Sequence, residues 1–270
     1  MSDDSPPRSE TLRRFRPFAG LLVALRFLTR LPIPFLRTLD PPPLASAMGL
    51  FPVAGALIGA ATGAVLELAH AVRLPPMACA VAALAAAALI TGALHEDGLS
   101  DTADGFGGGA TREDRLDIMR DSRIGAYGAL ALIFVVLARA SLLVSLLALP
   151  RGSTVGLIAC AAAFSRALIV DLMWATRPAR RDGLSVMAGR PSRNVTLMAL
   201  ILGGLGAGLG AGYLLSPAAG LLALVAGGAT LALVRALAMR KIGGQTGDVI
   251  GAAQVLTELA MLAVYVAAIS

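Results

Sequence analysis

The chain has 270 residues, of which 57% are hydrophobic, 15% are charged and only 4% are aromatic. Soluble globular domains contain about 45–50% apolar residues, so this composition argues against an ordinary soluble domain. The formal net charge of +6 could indicate nucleic-acid binding in a soluble protein. Here the basic residues lie between apolar segments, so we expect them to set membrane topology, and nucleic acid is not an expected partner.

The apolar segments predict an all-α, polytopic membrane helical bundle with about seven spans plus an interfacial N-terminal helix. Residues 1–16 are polar and are predicted to form a disordered cytoplasmic tail, followed by one integral membrane domain over 17–270. Residues 18–29 are apolar but too few to cross a bilayer, so they are predicted to form the interfacial helix. The predicted spans are 47–72, 77–94, 124–149, 154–176, 195–215, 217–237 and 250–269.

Basic residues are concentrated before the first predicted span and after the second, fourth and sixth. Because cytoplasmic loops of membrane proteins are enriched in Lys and Arg, this pattern predicts a cytoplasmic N-terminus and an external C-terminus. The acidic stretch after the second span, the basic loop 177–193 and the glycine-rich loop 243–247 are then all expected to face the cytoplasm.

The acidic stretch reads HEDGLSDTADGFGG, residues 95–108. Asp97, Asp101 and Asp104 are spaced i, i+4 and i+7, which places three carboxylates on one face of a helix. Like charges at this spacing repel, whereas Mg²⁺ binds through carboxylates together with substrate phosphates. We therefore predict a metal site at these aspartates. A solvated acidic loop between two helices is the alternative.

Ser165 and Arg166 lie inside the fourth predicted span, where polar and ionisable residues are functional candidates. A guanidinium matches phosphate oxygens in a bidentate geometry, which suggests substrate binding for Arg166. The alternative is an intramembrane ion pair of Arg166 or Arg139 with Asp171 or Glu67.

Two further groups complete the candidate site. Asp121, beside Arg123, lies where the chain enters the third predicted span, a costly position for a carboxylate without a partner. GGQTGD, residues 243–248, is a glycine turn that opens a helix and could bind phosphate through backbone N–H groups. Carboxylates for a divalent ion, with arginines and glycine turns for phosphates, indicate phosphoryl transfer at the membrane surface.

Six stretches resemble the cobalamin synthase family, the adenosylcobinamide-GDP ribazoletransferases, in the family's order. They are FLTRLPIP (27–34), FPVAGALIG (51–59), HEDGLSDTADG (95–105), IMRDSRIGAYGALAL (118–132), Ser165-Arg166 and GGQTGDVIGA (243–252). The resemblance implies transfer of the adenosylcobinamide phosphate from adenosylcobinamide-GDP to α-ribazole, or to its 5′-phosphate, with release of GMP. It also implies Mg²⁺ as cofactor and the bacterial inner membrane as location, with membrane lipid as a partner. It does not specify the oligomeric state.

Roles follow from the residue chemistry and the resemblance together. Asp97, Asp101 and Asp104 are expected to bind metal, with Asp104 also in the catalytic group. Asp121 is expected to complete the metal site or act as general base, and His95 is catalytic or orients a carboxylate. Substrate-binding residues are expected at Arg123, Arg166, Ser165, Gly244, Thr246 and Asp248.

Two alternative functions remain open from the sequence. DTADG, residues 101–105, fits the D-x-x-D-G core of the CDP-alcohol phosphotransferases, but Gly108 and Gly109 stand where those enzymes continue with Ala-Arg. A membrane transporter could use Asp171 and Glu67 as ligands, although transporters place such carboxylates near the midplane between broken helices.

Overall fold

The computed structural model describes residues 17–33 and 41–270, so the predicted N-terminal tail lies outside the described residues. The described chain contains helices and no strand; an isolated parallel bridge joins Pro178 to Gln245. The predicted all-α class is therefore confirmed. The helices are α1 (Pro17–Leu28), α2 (Leu44–Ala47), α3 (Phe51–Ala71), α4 (Pro76–Thr91), α5 (Leu94–Gly108), α6 (Arg112–Ile118), α7 (Ala126–Leu146), α8 (Ser153–Ala175), α9 (Leu184–Ala188), α10 (Arg193–Leu214), α11 (Pro217–Ile242) and α12 (Gly247–Ala267), with a 3-10 turn at Met48–Leu50 before α3.

Six helical segments in the described chain are long and apolar enough to cross a membrane: 44–71, which includes α3, and α7, α8, α10, α11 and α12. The pair α4 and α5 also qualifies when taken together, but it is bent by 91°. The count of six, or seven with the bent pair, agrees with the predicted bundle. Large apolar side chains such as Leu89, Leu209 and Leu233 are mostly exposed, as expected for a surface that faces lipid.

The bend between α4 and α5 falls at Gly92 and Ala93, whose φ angles are 67° and 54°. Gly92 ends α4 in the left-handed conformation, which glycine adopts at little steric cost. The second predicted span therefore stops at Thr91 rather than at residue 94. The acidic stretch, for which a loop was the alternative, forms helix α5.

The connection between α11 and α12 is shorter than predicted. α11 continues past Leu237 to Ile242 and ends at Gly243, whose φ angle is 71°. α12 begins at Gly247 rather than at residue 250, because the Thr246 side chain accepts the Val249 N–H and caps the helix. The predicted glycine turn that opens a helix is confirmed.

The connections predicted to share one side of the membrane meet at one end of the bundle. Arg112 of α6 donates from Nε to the Ile242 carbonyl at 2.9 Å and from Nη2 to the Ala179 carbonyl at 2.6 Å. Arg115 donates to the Lys241 carbonyl at 3.0 Å. We call this the polar end of the bundle, formed by α6 and the connections 176–183 and 243–246.

Close packing of α3 on α8 depends on Gly55, Gly59 and Gly63, which lie on one face of α3. A Cβ on Gly59 would stand 2.7 Å from the Ile158 carbonyl oxygen and 2.8 Å from the Ala159 Cα. Small residues at this spacing let membrane helices approach closely. The seam positions α8, which carries two of the predicted site residues, Ser165 and Arg166.

We predict that Gly59→Ala destabilises the protein, because the added methyl group would force α3 away from the α8 backbone at a cost of about 1–3 kcal/mol. The matched control is Gly228→Ala in α11, where a Cβ would meet nothing within 4 Å. Thermal unfolding in detergent measures both variants. A loss of stability in Gly228→Ala as large as that in Gly59→Ala would contradict the seam.

Candidate functional site

A cavity at the polar end collects three of the predicted site residues. It contains about 520 Å³ of empty space, part of it open to solvent, and lies between the start of α5, the start of α12 and residues 180–185. Asp97 projects from α5, while Thr246 and Asp248 come from the capped N-terminus of α12. The lining residues are Leu94, Asp97, Arg180, Asp182, Gly183, Leu184, Ser185, Thr246, Gly247 and Asp248. We call this space the acidic cavity.

Negative charge is concentrated beside the acidic cavity. Asp97, Asp248 and Asp104 all lie near enough to Asp101 to repel its charge, while Arg180 attracts it. An array of carboxylates with one nearby cation is suited to a bound divalent ion. The donors are hard oxygens, as Mg²⁺ requires.

These carboxylates do not form a ready-made cage. Within residues 17–33 and 41–270, no group of three or more His, Cys, Asp or Glu side chains converges closely enough to hold a metal ion. Mg²⁺ commonly uses one or two carboxylates and takes its other ligands from water and substrate phosphates. The donor set at the acidic cavity fits that mode of binding.

Asp104 has a clear structural partner. Its Oδ2 accepts the Gly125 N–H and its Oδ1 accepts the Gly128 N–H, both at 2.8 Å. Its carboxylate therefore caps the N-terminus of α7, where negative charge is favoured by the helix dipole. Gly125 and Gly128 are small for this reason, since a Cβ on either would collide with the Asp104 carboxylate. A catalytic or metal-binding role for Asp104 stays a prediction.

Asp121 and Arg123 pair with each other outside the acidic cavity. α6 ends at Ile118, so Asp121 does not continue a helical face from α6. Arg123 Nη2 donates to Asp121 Oδ2 at 2.6 Å. The Arg123 hydrogen bonds lower the pKa of Asp121 to about 2. A carboxylate with so low a pKa is a weak proton acceptor at neutral pH, which disfavours Asp121 as general base. Its role and that of Arg123 stay predictions.

Arg166 lies in a buried charge network in the middle of the bundle. Arg166 Nη1 approaches Glu258 Oε2 at 3.4 Å. Arg139 Nη2 donates to Glu258 Oε1 at 2.7 Å, and its Nη1 donates to Glu96 Oε1 at 2.9 Å. We call Glu96, Arg139, Arg166 and Glu258 the charge network. The ion-pair interpretation of Arg166 is thus present, but with different acids from those expected.

The expected acidic partners lie elsewhere. Glu67, near the end of α3, accepts the Gly152 N–H at 2.8 Å, and the charged group that acts on Asp171 is Arg235. Ser165 accepts a hydrogen bond from Gln254 at 3.0 Å, and Gln254 also donates to Glu258 at 2.6 Å. Ser165 therefore belongs to the surroundings of the charge network. Substrate binding by Ser165 and Arg166 stays a prediction.

His95 and Gly244 do not line the acidic cavity. His95 is buried and lines two smaller cavities, one apolar and one bordered by the charge network. Gly244 packs against the backbone of 177–179, where a Cβ would stand 3.0 Å from the Ala179 nitrogen. The glycine therefore allows two connections to approach, and phosphate binding by Gly244 stays a prediction.

The sequence interpretation missed two residues, one in the charge network and one at the acidic cavity. Glu258 is a carboxylate within an apolar helix, which is a recognisable signal for a buried partner. Arg180 lines the acidic cavity. Its signal was hidden in the basic loop 177–193, where positive charge already has a topological explanation.

The family model for cobalamin-5-phosphate synthase matches residues 20–266. The chain belongs to the cobalamin-5-phosphate synthase family. The match begins within α1 and ends one residue before the end of α12. It therefore covers almost the whole described bundle, including the residues that line the acidic cavity.

Three relatives of this family member each carry the name adenosylcobinamide-GDP ribazoletransferase. The protein from Azorhizobium caulinodans is 48% identical, over 93% of this chain and 96% of its own. That from Bradyrhizobium diazoefficiens is 42% identical, over 96% of both chains. That from Brucella anthropi is 43% identical, over 89% of this chain and 93% of its own. No solved structure matches the chain.

We predict that Asp104→Asn lowers stability, because an amide nitrogen cannot accept one of the two α7 N–H groups. A buried donor without a partner costs about 1–3 kcal/mol. Thermal unfolding in metal-free detergent buffer measures the effect, with Asp101→Asn as the control. Asp101 is repelled by its neighbours, so its neutralisation should leave stability unchanged or raise it. Equal losses in both variants would argue against the cap.

Proposed function

We propose that the protein is a Mg²⁺-dependent adenosylcobinamide-GDP ribazoletransferase that completes the nucleotide loop of cobalamin. The observation that carries this proposal is the family match over residues 20–266, with relatives of that name at 42–48% identity. The acidic cavity supplies a place for the chemistry at the end of the bundle where the basic connections meet.

In the proposed reaction, a hydroxyl oxygen of α-ribazole, or of its 5′-phosphate, attacks the phosphorus attached to cobinamide. A new phosphorus–oxygen bond forms, and the bond from that phosphorus to the oxygen bridging it to GMP breaks. GMP leaves with the electron pair, and the hydroxyl proton is released. The product is adenosylcobalamin or its 5′-phosphate.

The acidic cavity offers what phosphoryl transfer requires, which is positioning and neutralisation of phosphate charge. One or two carboxylates of the set Asp97, Asp101 and Asp248 would hold Mg²⁺ together with substrate phosphates. The bound ion would supply positive charge to those phosphates. The Thr246 hydroxyl donates to Asp248 Oδ2 at 3.1 Å and fixes the orientation of that carboxylate. Thr246 also caps α12, so the helix start and the carboxylate are positioned together.

The alternatives lack comparable support. The relatives carry the name of a ribazoletransferase and not of a CDP-alcohol phosphotransferase. For a transporter, Glu67 and Asp171 would have to share a site. Glu67 instead accepts the Gly152 N–H, while Asp171 lies near Arg235 on another helix.

The basic connections indicate which side of the membrane the acidic cavity faces. The acidic cavity opens at the polar end of the bundle, which carries the basic connections. Because basic connections favour the cytoplasmic side, we infer that the cavity faces the cytoplasm from the bacterial inner membrane.

The direct test uses the purified protein in detergent with adenosylcobinamide-GDP, α-ribazole and Mg²⁺. We expect GMP and adenosylcobalamin to form in equal amounts, as measured by chromatography. Parallel reactions with α-ribazole 5′-phosphate show which nucleophile is preferred. GMP release without formation of a cobalamin from either nucleophile would contradict a transferase.

We predict that Asp101→Asn lowers turnover by about 100-fold or more, a loss typical when a group that stabilises developing charge is removed. Its matched control is Asp114→Asn in α6, because Asp114 is exposed and, within residues 17–33 and 41–270, its carboxylate accepts only the local Thr111 N–H. That control should keep nearly normal turnover. Removal of Mg²⁺ with EDTA should abolish the remaining activity of both variants. Similar losses in the two variants would mean that general acidity, and not this carboxylate, matters.

A further inference from the structure

Arg180 is a largely buried arginine whose hydrogen-bonding groups are only partly used. Its side chain is 13% exposed. Its Nη2 donates to the Leu116 carbonyl and to Asp248 Oδ2, both at 3.3 Å. Its Nε is buried and has no hydrogen-bond partner among the described residues. Since a guanidinium carries five N–H donors, two long contacts from one nitrogen leave most of its capacity available.

Two other arginines are better satisfied than Arg180. Arg112 makes short hydrogen bonds to the Ile242 and Ala179 carbonyls, and Arg190 donates to the Trp174 carbonyl from two nitrogens. The connection that carries Arg180 is also held by its own backbone, because the Ala179 N–H donates to the Gln245 carbonyl at 2.7 Å. Arg180 is therefore not needed to close this part of the fold.

Arg180 stands between two spaces. On one side is the acidic cavity, and on the other is an open groove with about 670 Å³ of empty space that includes solvent. Arg180 and Asp182 line both. The other groove residues are Glu113, Leu116, Asp117, Arg120, Ala179 and Arg181. A ligand that extends from the groove into the acidic cavity must pass this guanidinium.

We propose that Arg180 binds the phosphate groups of the nucleoside-diphosphate-activated donor. The proposal rests on the proposed function, because that reaction brings a pyrophosphate linkage to the site. A guanidinium forms paired, charge-assisted hydrogen bonds with phosphate oxygens. The long contact to Asp248 is the one a phosphate would replace, and Asp248 would then be available to the metal ion that the same phosphates bind.

This assignment differs from the arginines expected from sequence. The Arg123 side chain is 87% exposed and is paired with Asp121, while that of Arg166 is 3% exposed and belongs to the charge network. Neither lines the acidic cavity or the open groove. Among the described residues, Arg180 is the arginine that lines both spaces.

The test compares Arg180→Ala, Arg180→Lys and the control Arg177→Ala in steady-state kinetics. Arg177 is an exposed arginine of the same connection that lines neither space. We expect both Arg180 variants to raise KM for adenosylcobinamide-GDP by about 10- to 100-fold, as for the loss of hydrogen bonds to a charged group. Lysine keeps the charge but cannot make the paired contact. KM for α-ribazole and the melting temperature should stay near wild type.

A second readout separates binding from turnover. In calorimetry, each protein is titrated with GDP in a buffer that contains Mg²⁺. Both Arg180 variants should show the same loss of affinity for GDP, and Arg177→Ala should keep the wild-type affinity. If Arg180→Ala does not accumulate, Arg180→Lys decides the question. An unchanged donor KM and GDP affinity in Arg180→Lys would overturn the proposal, as would an equal rise in KM for both substrates with a lower melting temperature.

The outcome also distinguishes this proposal from the proposed function. If the wild-type protein forms no cobalamin, the proposed function fails. If the wild-type protein is active and the Arg180 variants keep the donor KM of Arg177→Ala, only the assignment of Arg180 fails.

Discussion

Two carboxylates and two guanidiniums inside the bundle hold α5, the helix formed by the acidic stretch, in place. The charge network joins four helices, with Glu96 on α5, Arg139 on α7, Arg166 on α8 and Glu258 on α12. Its formal charges cancel, which is a condition for tolerating ions in an apolar interior, because an unpaired buried charge is strongly destabilising. Glu96 lies at the beginning of α5, directly after the bend at Gly92 and Ala93. The network therefore anchors the helix at the point where it changes direction.

The acidic cavity depends on that anchor. With its first turn bound to α7, α5 runs beside the start of α12, where Gly98 lies against the Asp248 backbone. A side chain at Gly98 would force the two helices apart, since a Cβ there would stand 2.7 Å from the Asp248 carbonyl oxygen. Asp104 fixes the other end of α5 by capping α7. Asp97 and Asp101 lie between these two anchors, and this placement brings their repelling carboxylates close to Asp248.

Much of the fold was predictable because it follows from local properties of the chain. The lengths of the apolar segments and the polar residues between them predicted the membrane spans. The spacing of Asp97, Asp101 and Asp104 indicated a helical face. It was not predictable that Asp104 caps α7 while Asp97 and Asp101 lie beside Asp248, because the cap depends on which backbone N–H groups the fold brings to Asp104. The partner of Arg166 was likewise hidden, since Glu258 lies 92 residues further along the chain. The importance of Arg180 depends on two cavities formed by segments distant in sequence.

The most direct test of this account is a double-mutant cycle on Glu96 and Arg139, measured as the free energy of unfolding in mixed detergent and SDS micelles. Each single change, Glu96→Gln or Arg139→Gln, leaves an uncompensated charge inside the bundle and should cost about 3–5 kcal/mol. The double variant restores neutrality, so its loss should be clearly smaller than the sum of the two single losses. Losses that add to within about 0.5 kcal/mol would contradict the claim that these buried charges act as one unit that positions the acidic helix.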